Sequence, residues 1–353
     1  MPMTIIMIAV QNSLISFESS KTGWKTNESL KQTHPHCITI DPRDPNRAYC
    51  GTFSDGLWKT EDIGQTWNRI GKDEIASNDI TSVSVSRLDY GKMFIGTEPT
   101  TLYRSNDRGE SWQKMIALNK LKSSTSWSFP PRPWTSHVRW IELDSNKSNY
   151  LYVAIEAGAL VQSHDGGETW LDRVDQGPYD THTLATHKKM PGRLYSAAGD
   201  GYFESNDYGQ TWKRLVAGLD DHDYLVGLAV DSGDPKTVIV SASQGAYQAH
   251  SRTDAESLVY RMISSVDDSD FNNGSDEDWE LISKGLPEPR GTIISILAAN
   301  PKIAGEFYAI NNRGIFWSSD LGISWKMLND GIEWPKEYLS QHPMALAVSD
   351  RNS

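Results

Sequence analysis

Six of the nine histidines, His34, His36, His137, His182, His222 and His342, stand within a few residues ahead of a short apolar stretch. Composition alone would put roughly one histidine in such positions. Imidazoles that converge from several strands suit a borderline transition metal and leave positions open for water or substrate. His36, His137, His182, His222 and His342 are therefore expected to hold an iron, copper, zinc, nickel or manganese ion. Asp180 precedes His182 by two residues, and Asp221 and Asp223 flank His222. Carboxylates so placed orient ligands or move protons, so Asp180 and Asp223, with Arg139, are the expected catalytic residues. Metal-free acid/base work would need fewer imidazoles, and the plainest role for any one of them is a hydrogen bond to nearby backbone.

A second chemistry is written in carboxylates. Asp55, Glu98, Glu156 and Asp200, with Gln244, Asn311 and Arg313, lie between consecutive apolar stretches on what should be the same end of the elements as the histidines. Two carboxyl groups across a cleft serve glycoside hydrolysis, and Trp127, Trp134 and Trp334 would offer rings for sugars to stack on. Trp134, Trp334, Arg290, Arg313 and Glu156 are the expected substrate contacts, the arginines suiting an anionic group. Asp55 in Ser54-Asp55-Gly56 and Asp200 in Gly199-Asp200-Gly201 also fit tight turns.

What must position these groups is a repeat. Five segments, Thr60 to Trp67, Ser105 to Trp112, Ser163 to Trp170, Ser205 to Trp212 and Ser318 to Trp325, read Ser/Thr-x-Asp-x-Gly-x-Ser/Thr-Trp. The aspartates Asp62, Asp107, Asp165, Asp207 and Asp320 are expected to fold back onto turn N–H groups, each following glycine to take a positive φ, and each Trp to return into a core. Upstream of every phrase come an apolar strand, an Asp/Pro/Gly turn, a second strand, a short loop and a third strand.

This phrase resembles the Asp box, or BNR repeat, of β-propellers: sialidases, some endoglucanases, sortilin-type domains and photosystem assembly factors share it. The resemblance implies blades of four antiparallel strands and a ligand site at the mouth where the D-to-A and B-to-C connections emerge. It is silent on the reaction. A sialidase site would need three arginines on a carboxylate, a Tyr/Glu pair and an arginine motif before the first box; no such motif is present. The photosystem assembly factors are similar over most of the chain, and a binding scaffold with a macromolecular partner is the third functional class.

In this register the blades span about 36–70, 79–116, 137–174, 182–215, 224–282 and 292–328, with 343–350 joined to 3–25 as the seventh. The expected fold is thus one all-β domain, residues 1–353, a seven-bladed β-propeller whose last blade is closed by N- and C-terminal strands. His34, His137 and His342 then fall at one equivalent position, His36 and His182 at the next on the same face, with His222 offset. Two connections exceed the repeat, Ile116 to Ser136 and Asn329 to Gln341, and loops of that length tend to carry function. A third insertion, Asp267 to Trp279, is acidic but lacks EF-hand spacing and reads as a solvated loop.

The net charge of -12 argues against a nucleic-acid partner, and no stretch has the length of a membrane span. Met1 to Val10 lacks a basic leader and a cleavage site and reads as a strand. Cys37 and Cys50, the two cysteines, are expected on neighbouring strands of one hairpin, able to face each other as reduced, buried thiols in a cytoplasmic protein. The expected function is a metal-dependent enzyme acting on a small molecule that could be anionic; the alternatives are a glycoside-processing or carbohydrate-binding propeller and a non-enzymatic assembly scaffold.

Overall fold

The computed structural model describes residues 3–21, 23–129, 135–263, 279–328, 338 and 341–351. Seven antiparallel sheets follow one another along the chain, the strand succession of a seven-bladed β-propeller. Within each regular sheet the strands, here called A to D, lie in chain order. The exception is the seventh, where Pro343–Arg351 pairs with Met3–Val10, which pairs with Ser13–Ser20 and then Gly23–Ser29. The closing pair is also tied by side chains, Thr4 Oγ1 donating to Asp350 Oδ1 at 2.9 Å across 346 positions.

The chain divides into two compact units. One comprises Met1–Arg173, Tyr179–Thr181 and Asp330–Ser353. It holds blade 7, blade 1 (Pro35–Ile40, Ala48–Thr52, Leu57–Thr60, Asn68–Ile70), blade 2 (Ile80–Val85, Met93–Thr97, Leu102–Ser105, Gln113–Lys114) and blade 3 (Val138–Leu143, Leu151–Ile155, Ala159–Ser163). An apolar cluster fills each space between consecutive sheets of this unit: Met7, Leu14, Ile38 and Cys50, then Tyr49, Ile80, Ile95 and Tyr103, then Phe94, Leu102, Val138 and Val153. Alternation along each strand sends successive side chains into different clusters, which is why a period of two recurs through the sequence. The same rule corrects the cysteine expectation. Ile38, not Cys37, pairs with Cys50, so the half-buried Cys37 packs toward Ile80 of blade 2 and the buried Cys50 toward blade 7, on opposite faces of the hairpin and with no disulfide between them.

The other unit comprises Val174–Pro178 and His182–Asn329. Its sheets are blade 4 (Thr181–Thr186, Leu194–Ala198, Gly201–Ser205, Lys213–Arg214), blade 5 (Tyr224–Val230, Thr237–Ser243, Leu258–Ile263, Glu280–Ile282) and blade 6 (Ile296–Ala299, Phe307–Asn311, Gly314–Ser318, Lys326–Met327). Tyr202, Leu225, Val240 and Trp279 fill one inter-sheet core, Ile239, Leu297, Phe307 and Trp325 the next. Inner strands approach closely: a Cβ on Gly227 would stand 2.6 Å from the Ser295 carbonyl oxygen. Only glycine allows that contact between blades 5 and 6.

The five repeated phrases form one turn. In the third, Ser163 Oγ donates to Asp165 Oδ1 at 2.8 Å and accepts the Gly167 N–H at 2.8 Å, while Thr169 donates to Asp165 through its N–H at 2.9 Å and its hydroxyl at 2.5 Å. The other four repeat those bonds. The glycines take φ between 78° and 94°. Hydrogen bonds from Ser111 hold the Asp107 carboxyl down at about 2, and those from Thr169 overcome desolvation to hold Asp165 at about 2.

Blade 3 departs from the pattern. Its fourth strand is reduced to a single bridge between Gln162 and Leu171. The chain turns away there because the Asp172 carboxylate accepts the Ser123 N–H at 2.9 Å and the Arg173 N–H at 2.8 Å, docking the 118–127 segment against the sheet edge. Trp127 of that segment is buried, its Nε1 donating to Ser123 Oγ at 3.1 Å. The expectation of Trp127 as an exposed stacking ring is corrected: it fills the core beside Gly158.

Candidate functional site

In the first unit, the B-to-C connections of blades 2 and 3 bring two glutamates to the histidine that opens blade 3. The blade 2 connection is pinned by Glu98 N–H to Asp79 O at 3.0 Å and Thr100 N–H to Ser136 O at 2.8 Å. The blade 3 connection is held by Glu156 N–H on His137 O at 3.3 Å and by Ala157 N–H on Asp180 Oδ1 at 2.6 Å. With the backbone fixed, the side chains converge. His137 Nε2 lies 2.6 Å from Glu156 Oε2, and its Nδ1 lies 3.8 Å from Glu98 Oε2. Arg139 Nε is 3.4 Å from the same Glu156 oxygen, Thr135 Oγ1 donates to Glu98 Oε1 at 2.8 Å, and Phe129 packs edge-on to the imidazole at 4.9 Å.

Exposure grades across the group. Side-chain exposure is 5% for His137, 6% for Glu98, 15% for Glu156 and 23% for Arg139. Glu156 and Arg139 therefore form the edge that a ligand can touch, and His137 with Glu98 stands behind it. With its proton on Nε2, His137 donates to Glu156, while Nδ1 makes no hydrogen bond among the described residues. A half-buried carboxyl group that keeps a buried imidazole at hydrogen-bond distance has a built-in proton partner.

The remaining expected residues disperse. Asp180 grips the Ala157 N–H as Asp79 grips the Ser54 N–H at 2.7 Å two blades earlier, so its carboxylate fixes a loop. Asp223 forms a surface ion pair with Arg214 at 2.7 Å. His342 Nδ1 lies 2.6 Å from Pro343 O, His36 stands 6.1 Å from the Phe53 ring, and His34 approaches Gln11 O at 3.3 Å. In the second unit, His182 is buried with Nδ1 2.6 Å from Leu225 O, and neither ring nitrogen of His222 has a hydrogen-bond partner among the described residues. Arg290 and Arg313 are exposed there, Arg313 lying over Gly291. Trp134, Trp334 and the acidic stretch 267–278 lie outside the described residues.

Among the described residues no three His, Cys, Asp or Glu side chains are grouped so as to hold a metal ion. His137 is engaged by Glu156, and His182 and His342 each have a nitrogen at a backbone carbonyl. Glu98 is the residue that sequence reasoning placed on the right connection but gave no role. The signal was its position, equivalent to Glu156 in the next blade.

No family model matches the chain. It is 24% identical over 250 residues to the xyloglucanase Xgh74A of Acetivibrio thermocellus, a match covering 58% of this chain and 29% of that protein. Among solved structures it is similar to the Niastella koreensis GH74 enzyme, with a TM-score of 0.67 and 16% identity over 93% of this chain and 55% of that one. It is also similar to YCF48 bound to D1 peptide, with a TM-score of 0.52 and 19% identity over 83% of this chain and 81% of that one. The chain thus spans less than a third of the xyloglucanase and about half of the GH74 chain. No helix among the described residues is long and apolar enough to cross a membrane. Together with the seven antiparallel sheets, these likenesses show a seven-bladed β-propeller fold.

Proposed function

We propose that this chain is a glycan-directed propeller that hydrolyses a glycosidic bond at the Glu156 edge. The observation that carries the reading is the partly exposed Glu156 carboxyl group held 2.6 Å from a buried imidazole and 3.4 Å from Arg139. The similarity to xyloglucanases supplies the substrate class, a polysaccharide with a glucan backbone. In this reading Glu156 takes a proton from His137 Nε2 and gives it to the leaving glycosidic oxygen, and solvent water re-protonates His137. A second carboxylate takes a proton from the water whose oxygen bonds to the anomeric carbon, and Arg139 donates to a sugar hydroxyl. Glu98 acts through the imidazole, as a positioning residue. Hydrolysis uses a second carboxylate, which we assign to Asp55 on the B-to-C connection of blade 1, 39% exposed and 3.6 Å from Arg69.

The test is release of reducing ends from xyloglucan and its oligosaccharides by the purified chain, beside Glu156→Gln and Asp55→Asn variants. Release that both substitutions abolish supports the assignment; equal release by native and Glu156→Gln protein removes it. One observation favours a second reading. The chain matches YCF48 bound to D1 peptide over 81% of that solved chain, so it is similar over most of its length to a peptide-bound protein. A stoichiometric polypeptide partner, with neither binding nor cleavage of glycans, would decide for that scaffold role.

A further inference from the structure

Blade 5 carries the other well-built polar and aromatic group. Residues 244–257 join its second and third strands, and the helix Ala246–His250 within them is seated by small apolar residues. Ala249 and Ala255 are buried with Val226, Ile293 and Ile294, and the backbone is tied by Ile294 N–H to Ala249 O at 2.9 Å and Gly291 N–H to Ala255 O at 2.7 Å. That seating turns Tyr247 outward. At 64% exposure it exceeds every other large exposed apolar side chain among the described residues. An aromatic ring so presented on a fixed element leaves most of its apolar area in water.

The ring is not loose. Its hydroxyl donates to Asp254 Oδ2 at 2.9 Å, and Thr253 Oγ1 donates to the same oxygen at 2.6 Å. These bonds, that of Thr253 first, hold the Asp254 carboxyl below its ordinary range, and Arg290 acts on it through its charge in the same direction. Arg290 is itself fixed by a backbone bridge to Glu256. An exposed ring therefore stands on a carboxylate, on which the charge of the exposed Arg290 also acts.

We propose that Tyr247, Asp254 and Arg290 form a subsite for one pyranose ring of a neutral oligosaccharide. The apolar C–H face of the sugar lies on Tyr247, and its hydroxyls donate to Asp254 and accept from Arg290. The opposed charges suit a ligand with hydroxyl groups and no net charge better than an anion. This subsite rests on the glycan reading above, and adds to it a binding contact in the second unit that does not take part in bond cleavage.

The test is isothermal titration of the native chain with cellotetraose and with a xyloglucan oligosaccharide, repeated for Tyr247→Ala, Tyr247→Trp and Asp254→Asn. Tyr247→Ala should weaken binding about tenfold, Tyr247→Trp should retain it, and Asp254→Asn should weaken it several-fold. Because Tyr247 is exposed, the alanine variant keeps the fold, which circular dichroism checks. Unchanged affinity in Tyr247→Ala overturns the subsite while leaving the Glu156 assignment intact. Loss of reducing-end release in Glu156→Gln with unchanged titration separates the two in the other direction. A native chain that binds neither sugar overturns both.

Discussion

The repeated turns and the histidine-bearing strand entries lie at opposite ends of the same sheets and follow opposite rules. Each turn makes the same bonds, with one Ser or Thr hydroxyl donating to an Asp and a second Ser or Thr donating to the same Asp. The entries share residue type but not contacts. His137 meets two glutamates, His182 a carbonyl of the next blade, His342 the carbonyl beside it. A feature that repeats with its hydrogen bonds intact is explained by folding. One that repeats in sequence but diverges in contacts has a single site worth testing for chemistry, and here that is blade 3.

The sharpest way to break this contrast is to exchange one residue at each end. Glu156→Gln should cost at least about a hundredfold in reducing-end release with little change in melting temperature. Asp165→Ala should do the reverse, lowering the unfolding free energy in urea by about 1–3 kcal/mol through loss of its turn bonds while leaving release near native. Similar effects of both substitutions on both readouts would erase the distinction. Glu98→Gln should fall between them. As a positioning residue it should lower kcat and shift the pH profile of release without raising KM, whereas a merely structural Glu98 would move neither.

Acid should separate the ends as well. The Asp107 and Asp165 carboxyls sit at about 2 in the folded chain, against about 3.9 when unfolded. Their contribution is fully present above pH of about 4 and is lost as pH falls toward 2. His164, in the x position of the third phrase, lies flat on Tyr150 at 3.9 Å, and Lys147 lies 4.3 Å from that ring. Burial first, and the Lys147 charge second, hold this imidazole below its ordinary range. Its contribution is therefore present above pH of about 6.5 and declines as pH falls below that. Replacing His164 by Asn, the residue at the equivalent positions 106 and 206, should flatten the small loss of melting temperature between pH 7 and 5. An unchanged slope would place that loss elsewhere.

The architecture was legible because it is periodic. The Ser163 to Trp170 phrase names its own hydrogen bonds, and the apolar alternation of Leu228, Val230, Val238 and Val240 names its strands. The closing sheet could be read from the unpaired strands at each end. The site was less legible for two physical reasons. A one-residue offset sends a side chain to another face, as Cys37 and Cys50 show, and histidines in similar entries meet different partners, His137 a glutamate and His182 and His342 a backbone carbonyl. A side chain's partners, moreover, come from loops far apart in sequence: Glu98, His137 and Glu156 meet only because two B-to-C connections are pinned to neighbouring strands. Trp127 misled for the same reason, since nothing in its flanks announces the Asp172 clamp that draws it inward.

The pairing of Met3–Val10 with Pro343–Arg351 sets an order of events during synthesis. Met3–Val10 emerges from the ribosome well before its partner, for the neighbour on one of its edges is made more than three hundred residues later. At 5–20 residues per second, typical of translation, that edge waits on the order of tens of seconds, apolar and unpaired. During that interval Ile5, Ile6 and Ile8, all wholly buried in the finished protein, depend on the hairpin with Ser13–Ser20 for shelter. The pairing that completes this sheet thus leaves the nascent chain vulnerable to aggregation for as long as the residues between the two strands take to be made. A circular permutant cut in an exposed blade 5 loop would let the two strands meet early and shorten that window.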